Sequence, residues 1–211
     1  MSGTLFLGTA AGGLSTVCGM AYHLGLDMGA VPLVPVTGEL MWRDLDLVGE
    51  AQVSLDMGRS HESAYGSFPV MDFANYCIWR ESRATGAWGL RCDEYQHLLA
   101  DEQAMGLPLG LQWVNVTRPI PDAANDAAES WTHYVAPQSY ETALGVVERQ
   151  DEDRRSVALA WAPVLTLAYE NIITNAADAV DALVATLGIA PTAEQRNAAI
   201  SYVRPDRRFY P

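Results

Sequence analysis

The stretch LFLGTAAGGLSTVCGMAYHLGLDMG, from Leu5 to Gly29, limits the fold more than any other part of the chain. A short apolar run leads into closely spaced glycines and then into a helix-forming segment. That order is a β-strand, a tight turn and a helix, and such a strand is buried by helices packed on its sheet. Residues 3–8 are read as the strand and 14–26 as the helix, closed by Gly25 or Gly29. Gly8 and Gly13 stand in the spacing GxxxxG, followed by Leu14, Ser15 and Thr16. A P-loop would carry a lysine where Leu14 stands, with backbone N–H groups wrapping a phosphate at the helix N-terminus. The same glycines would also serve close strand-to-helix packing, and Ser15 or Thr16 would serve as a plain helix N-cap.

The remaining pattern repeats the alternation of strand and helix. GLQWVNVT (110–117) is a second apolar strand, stopped by RPIPD, and VLTLAYE (164–170) is a third. Helices are expected over 43–57, 70–85, 122–131 and 139–161, with extended or looped segments at 31–38 and 58–69. Residues 175–188 form an amphipathic helix closed by Gly188, and 192–203 open with a capping box, Thr192 with Gln195. Apolar strands separated by helices give an α/β fold, a three-layer α/β/α arrangement around a mostly parallel central sheet. At 211 residues, residues 1–211 make a single domain. Ligands of such sheets sit beyond the carboxyl ends of the strands. The Gly8–Thr16 turn, Arg118 and the segment after Glu170 therefore share one rim.

Charge narrows the partners. The formal net charge is −13 and every basic residue is an arginine. A polyanion would be repelled by that mean field, so no nucleic-acid partner is expected. Mechanisms that need a catalytic lysine are removed as well. No apolar run reaches the roughly 20 residues that span a bilayer, and the N-terminal apolar stretch lacks the basic start of a signal peptide. Cys18, Cys77 and Cys92 form no CxxC pair, which points to buried thiols in a reducing, cytoplasmic compartment. Cys92 and His97 alone do not make a metal site, and no metal is expected.

Three stretches could carry chemistry. One is the glycine turn: Gly8, Gly12, Gly13, Ser15 and Thr16 are the candidates for an anion cradle. The second is Arg118, which an apolar strand delivers to the rim just before a helix. A guanidinium there suits a phosphate, and it would equally cap a strand end. The third is YVRPDRRFYP, where Arg204, Arg207 and Arg208 gather positive charge in an acidic chain, either for an anion or as a solvated tail.

In order and spacing these pieces resemble the bacterial and phage branch of the sulfotransferases, which use 3′-phosphoadenosine-5′-phosphosulfate (PAPS) as donor and release the bisphosphate PAP. That family opens with a strand, a loop of the form Lys/Arg-Ser-Gly-Thr, and a helix ending in LG-x-x-x-G. Here Ala11-Gly12-Gly13-Leu14-Ser15 precedes HLGLDMG. WRDLDLVGE (42–50) is similar to the family's acidic segment, and WGLRCDE (88–94) to its Trp-Gly-x-Lys segment, with Arg91 at the basic position. Arg118 matches the arginine that binds the donor's 3′-phosphate. The serine that accompanies it would fall at Asn125 or Asp126. The run LTLAYENIITNAADAVDALVATLGIAPTAEQRNAAISYVRPDRR resembles the family's closing strand and helices.

The resemblance implies a P-loop NTPase-like sulfotransferase fold and transfer of a sulfuryl group to a small-molecule or carbohydrate acceptor. It places Gly8, Gly12, Gly13, Ser15, Thr16, Arg118, Asn125, Arg204 and Arg207 around the donor. Arg91 or a C-terminal arginine would replace the loop cation, and His61, with Glu62 and Asp44 as alternatives, would take the acceptor's proton. Two departures stand out. Ala11 occupies the loop's basic position, and loss of one such preorganised contact costs on the order of 10²–10³ in rate. An Asp126 facing a phosphate would repel it. A second reading follows: a sulfotransferase frame without catalysis, serving as a binding or structural protein. Such a protein would be a homo-oligomer or a phage-type assembly component, associated with the virion. A third is a different phosphorylated ligand in the same cradle.

Overall fold

A computed structural model describes residues 3–29, 77–78, 80–92, 99, 110–131 and 139–204. Expectations for 31–38, 43–57 and 58–69 lie outside the described residues, as do His61, Arg207 and Arg208. Among the described residues, four parallel strands form a sheet in the order β2-β1-β3-β4. They are β1 (Gly3–Leu7), β2 (Trp88–Arg91), β3 (Gln112–Thr117) and β4 (Leu165–Ala168). The register sets Phe6 beside Arg91 and Val114, Leu7 beside Asn115, and Thr117 beside Ala168. All four carboxyl ends therefore meet on one rim.

Alternation along the strands sorts the core into two layers. Phe6, Val114, Val116 and Leu167 face one side. There they meet α1 (Leu14–His23), α5 (Ala176–Leu187) and α6 (Ala193–Tyr202) through Val17, Met20, Val180, Leu183 and Ala199. Leu5, Leu7, Trp88, Leu90 and Trp113 face the other side, with Val157 of α3 (Tyr140–Ala160). Helix α2 (Ile120–Trp131) packs on α3 through Ala123, Ala124, Ala127, Ala143 and Val147. Those alanines explain the composition of the run: small side chains let the two helices approach closely. Cys18, Cys77 and Cys92 are buried cysteines.

Local signals set most helix ends. Gly188 takes a left-handed conformation after α5, and Thr192 with Gln195 forms both bonds of the capping box at α6. Ser139 caps α3 by accepting from the Thr142 N–H. Two elements go beyond the sequence reading. The sheet has a fourth strand, β2, and the expected strand over 164–170 ends at Ala168, where the short helix α4 (Tyr169–Thr174) begins. That helix turns Tyr169 and Glu170 onto the rim.

Among the described residues, Asp27 finishes the outer edge of β2, where it bridges to Trp88. Its carboxylate takes the Arg80 Nη2 at 2.5 Å and the N–H groups of Gly29 and Thr85, while Arg80 lies buried over the Trp88 ring. Partial burial pushes the Asp27 pKa up, but the bonds from Arg80, Gly29 and Thr85 outweigh it, and the net shift is below the ordinary 3.8. A depressed folded-state pKa stabilises the protein above the unfolded value and is lost as pH falls through the folded one. Urea unfolding should therefore show stability dropping below about pH 4. Asp27→Asn should be less stable at pH 7 and show a shallower acid limb; an unchanged limb would count against this assignment.

Candidate functional site

Gly8, packed beside Val116 at the end of β1, starts the turn. The Ala10 N–H donates to Gln150 Oε1 of α3 at 2.6 Å, and the Gly12 N–H returns to the Thr9 carbonyl at 3.0 Å. Ala11 and Gly13 both have positive φ, 51° and 88°. For Gly13 this is unstrained, whereas Ala11 holds a conformation that costs a residue with a Cβ about 1–2 kcal/mol. Gly13, rather than Ser15 or Thr16, is the N-cap of α1, and no side chain caps it. The Thr16 and Val17 N–H groups close onto the Gly13 carbonyl. The N–H groups of Leu14 and Ser15, in the first turn, have no acceptor within the helix and lie at its positive end.

Two arginines frame this turn from the neighbouring strands. Arg91, the last residue of β2, donates from Nη1 to Ser15 Oγ at 2.8 Å. A guanidinium therefore stands at the N-terminus of α1 although the loop has no cation of its own. Arg118, just past β3, donates from Nη1 to the Ala11 carbonyl at 2.7 Å, and its guanidinium lies 4.7 Å from the centre of the Tyr169 ring. Its Nη1 also meets Asp126 Oδ2 at 2.6 Å, while Nε is 3.9 Å from Glu170 Oε1 and is buried without a hydrogen bond. One positive charge thus faces two carboxylates. Tyr169 is also the residue packed on Gly13. Burial raises its phenol pKa; Arg118 opposes this shift, and Asp126 and Glu170 add to it. The hydroxyl therefore stays protonated through neutral pH.

Of the sequence candidates, Gly8, Gly12, Gly13, Ser15, Thr16, Arg91 and Arg118 gather on the rim. Asn125 does not face Arg118: it is exposed, and Asp126 makes the contact. Arg204 is exposed two residues beyond α6. His61 and Arg207 fall outside the described residues. Sequence reading missed Gln150 and Tyr169. Gln150 meets the turn from 140 residues away, which no local signal reveals. Tyr169 had a trace, since an aromatic at the end of a parallel strand arrives at the rim. Among the described residues no group of His, Cys, Asp and Glu is placed to hold a metal ion, and no helix is long and apolar enough to cross a membrane.

No family model matches the chain, and no curated protein matches its sequence. Among solved structures, the chain is similar to the sulfotransferase STF9 from Mycobacterium avium. The match has a TM-score of 0.56 and 16% identity, and covers 98% of this chain and 69% of the other. That likeness carries the fold: a sulfotransferase-like α/β architecture over nearly the whole length.

Proposed function

We propose that the chain binds the phosphate-bearing end of a nucleotide at the Gly8–Thr16 turn and acts in sulfuryl transfer to a small-molecule or carbohydrate acceptor. One observation carries the reading: Arg91 donates to Ser15 at the first turn of α1, beside N–H groups without helical acceptors. The turn and the helix end supply oriented dipoles, and Arg91 supplies the charge missing at Ala11. Together they are aimed where a leaving phosphate gathers negative charge. The family's donor, PAPS, fits this arrangement only in part. Its 5′ side suits the turn and Arg91, whereas its 3′-phosphate does not suit an Arg118 already paired with Asp126. His61 is proposed as the base for the acceptor's proton, and a cytoplasmic setting agrees with three buried cysteines.

Titration calorimetry with adenosine 5′-monophosphate tests the cradle. The wild-type chain should bind, and Arg91→Ala should weaken binding by about ten- to a hundredfold, the worth of a hydrogen bond to a charged group. Equal affinity in both proteins would reject Arg91 as the cation. A second reading, a sulfotransferase frame kept as a non-catalytic binding or assembly protein, is favoured by the neutralised Arg118. On that reading no nucleotide binds, and the protein is instead recovered as an oligomer or in a particle.

A further inference from the structure

We infer that Asp126 makes this rim select a nucleotide whose ribose carries a free 3′-hydroxyl and turn away one carrying a 3′-phosphate. The inference rests on the nucleotide reading of the turn and specifies its sugar. The sulfotransferase resemblance puts the 3′ position of a bound nucleotide beyond the end of the neighbouring strand, β3. The first side chain beyond that strand, Arg118, is tied to the turn itself through the Ala11 carbonyl. Whatever group of the ligand reaches Arg118 therefore meets Asp126 as well, 2.6 Å from the same Nη1.

Three physical points decide what that group is. Charge comes first: Asp126 and Glu170 exceed the single charge of Arg118, so a phosphate dianion would enter a locally negative site. Geometry comes second. Arg118 Nη1 is already shared by a carbonyl and a carboxylate, and the Tyr169 ring covers the guanidinium face. End-on bidentate grip on a phosphate would require freeing Nη1, and the buried Nε of the side-on fork lies 3.9 Å from the Glu170 carboxylate. Capacity comes third. A carboxylate offers about four acceptor positions, Asp126 gives one to Arg118, and its side chain stays 37% exposed. Hydroxyl protons of a sugar suit those remaining positions. Dinucleotide sites use the same chemistry, with an acidic side chain for a ribose hydroxyl and an arginine for a ribose phosphate. Here both residues are present, and the acid occupies the arginine.

The test compares adenosine 5′-monophosphate with adenosine 3′,5′-bisphosphate, which differ only at the 3′ position, by calorimetry on the full chain. Wild type should prefer the monophosphate by about a hundredfold, the scale of a like-charge clash. Asp126→Ser should reverse the preference, and Asp126→Asn, which keeps the side chain's shape, should abolish most of it. Thermal unfolding of each variant confirms that it is folded. Equal or tighter binding of the bisphosphate by wild type would overturn the inference while leaving the cradle in place. So would a preference that neither substitution changes. If neither nucleotide binds to wild type or either variant, the cradle reading fails together with the inference.

Discussion

Asp151→Ala should destabilise the chain by about 3–5 kcal/mol in urea unfolding at neutral pH, the cost of breaking a buried ion pair from one side. Asp151 and Arg154 are both buried on α3 and pair with each other; Arg155 reaches the second carboxylate oxygen at 2.6 Å. Arg154 also donates to Asn115 Oδ1 at 2.8 Å, and Asn115 reaches Thr166. This chain of contacts fastens α3 to β3 and β4. Removing the carboxylate leaves a buried guanidinium beside a second arginine with only an amide to hold it. Replacing Asp151 and Arg154 together by Leu and Met should recover much of the loss, because well-packed apolar residues often match a buried pair. Should the double variant be no better than Asp151→Ala, the cost lies in packing rather than in stranded charge. Gln150 sits next to Asp151 and holds the Ala10 N–H, so loosening α3 should also loosen the turn.

Gly13→Ala should cost about 2–5 kcal/mol and abolish nucleotide binding. At φ 88° an alanine carries about 1–2 kcal/mol of backbone strain, and forcing a methyl into a packed site adds about 1–3. The added carbon would lie 2.2 Å from Tyr169 Cδ2 and 2.9 Å from Cγ, close to the root of the ring, where rotation gives little relief. Relief requires moving Tyr169, and Tyr169 carries the Arg118 guanidinium on its other contacts. A Gly13→Ala protein with Tyr169→Ala added should regain part of the stability without regaining binding. If Gly13→Ala alone proved neutral, the ring would not be seated as described.

Much of the frame is legible in single segments. The strands of β1, β3 and β4 are marked by apolar runs, and the ends of α5 and α6 by Gly188 and the Thr192–Gln195 box. Such features depend on neighbours within a few residues, and the sequence states those neighbours directly. The missed strand shows the limit. WGLR is four residues long and contains a glycine, so it has little strand character alone, yet β1 holds it in register from Trp88 to Arg91. Gly89 belongs there because Leu26, Met28 and Phe6 leave no room for a side chain.

The site divides in the same way. Glycines, a helix start and an arginine at a strand end can all be read from the sequence, as can the absence of a cation at Ala11. Their consequences depend on direction in space. Successive helical residues point about 100° apart, so one position decides whether Arg118 meets an amide or a carboxylate. The structure turns Asp126 inward and Asn125 outward. Likewise Arg91 reaches Ser15, 76 residues away in sequence, only because β2 pairs with β1 and ends beside the turn. By itself the sequence determined the strand–turn–helix frame and the missing loop charge, because both are local. Which charged groups stand beside the turn was decided by long-range packing of the sheet and of α2, because a charge acts on what lies a few ångströms away.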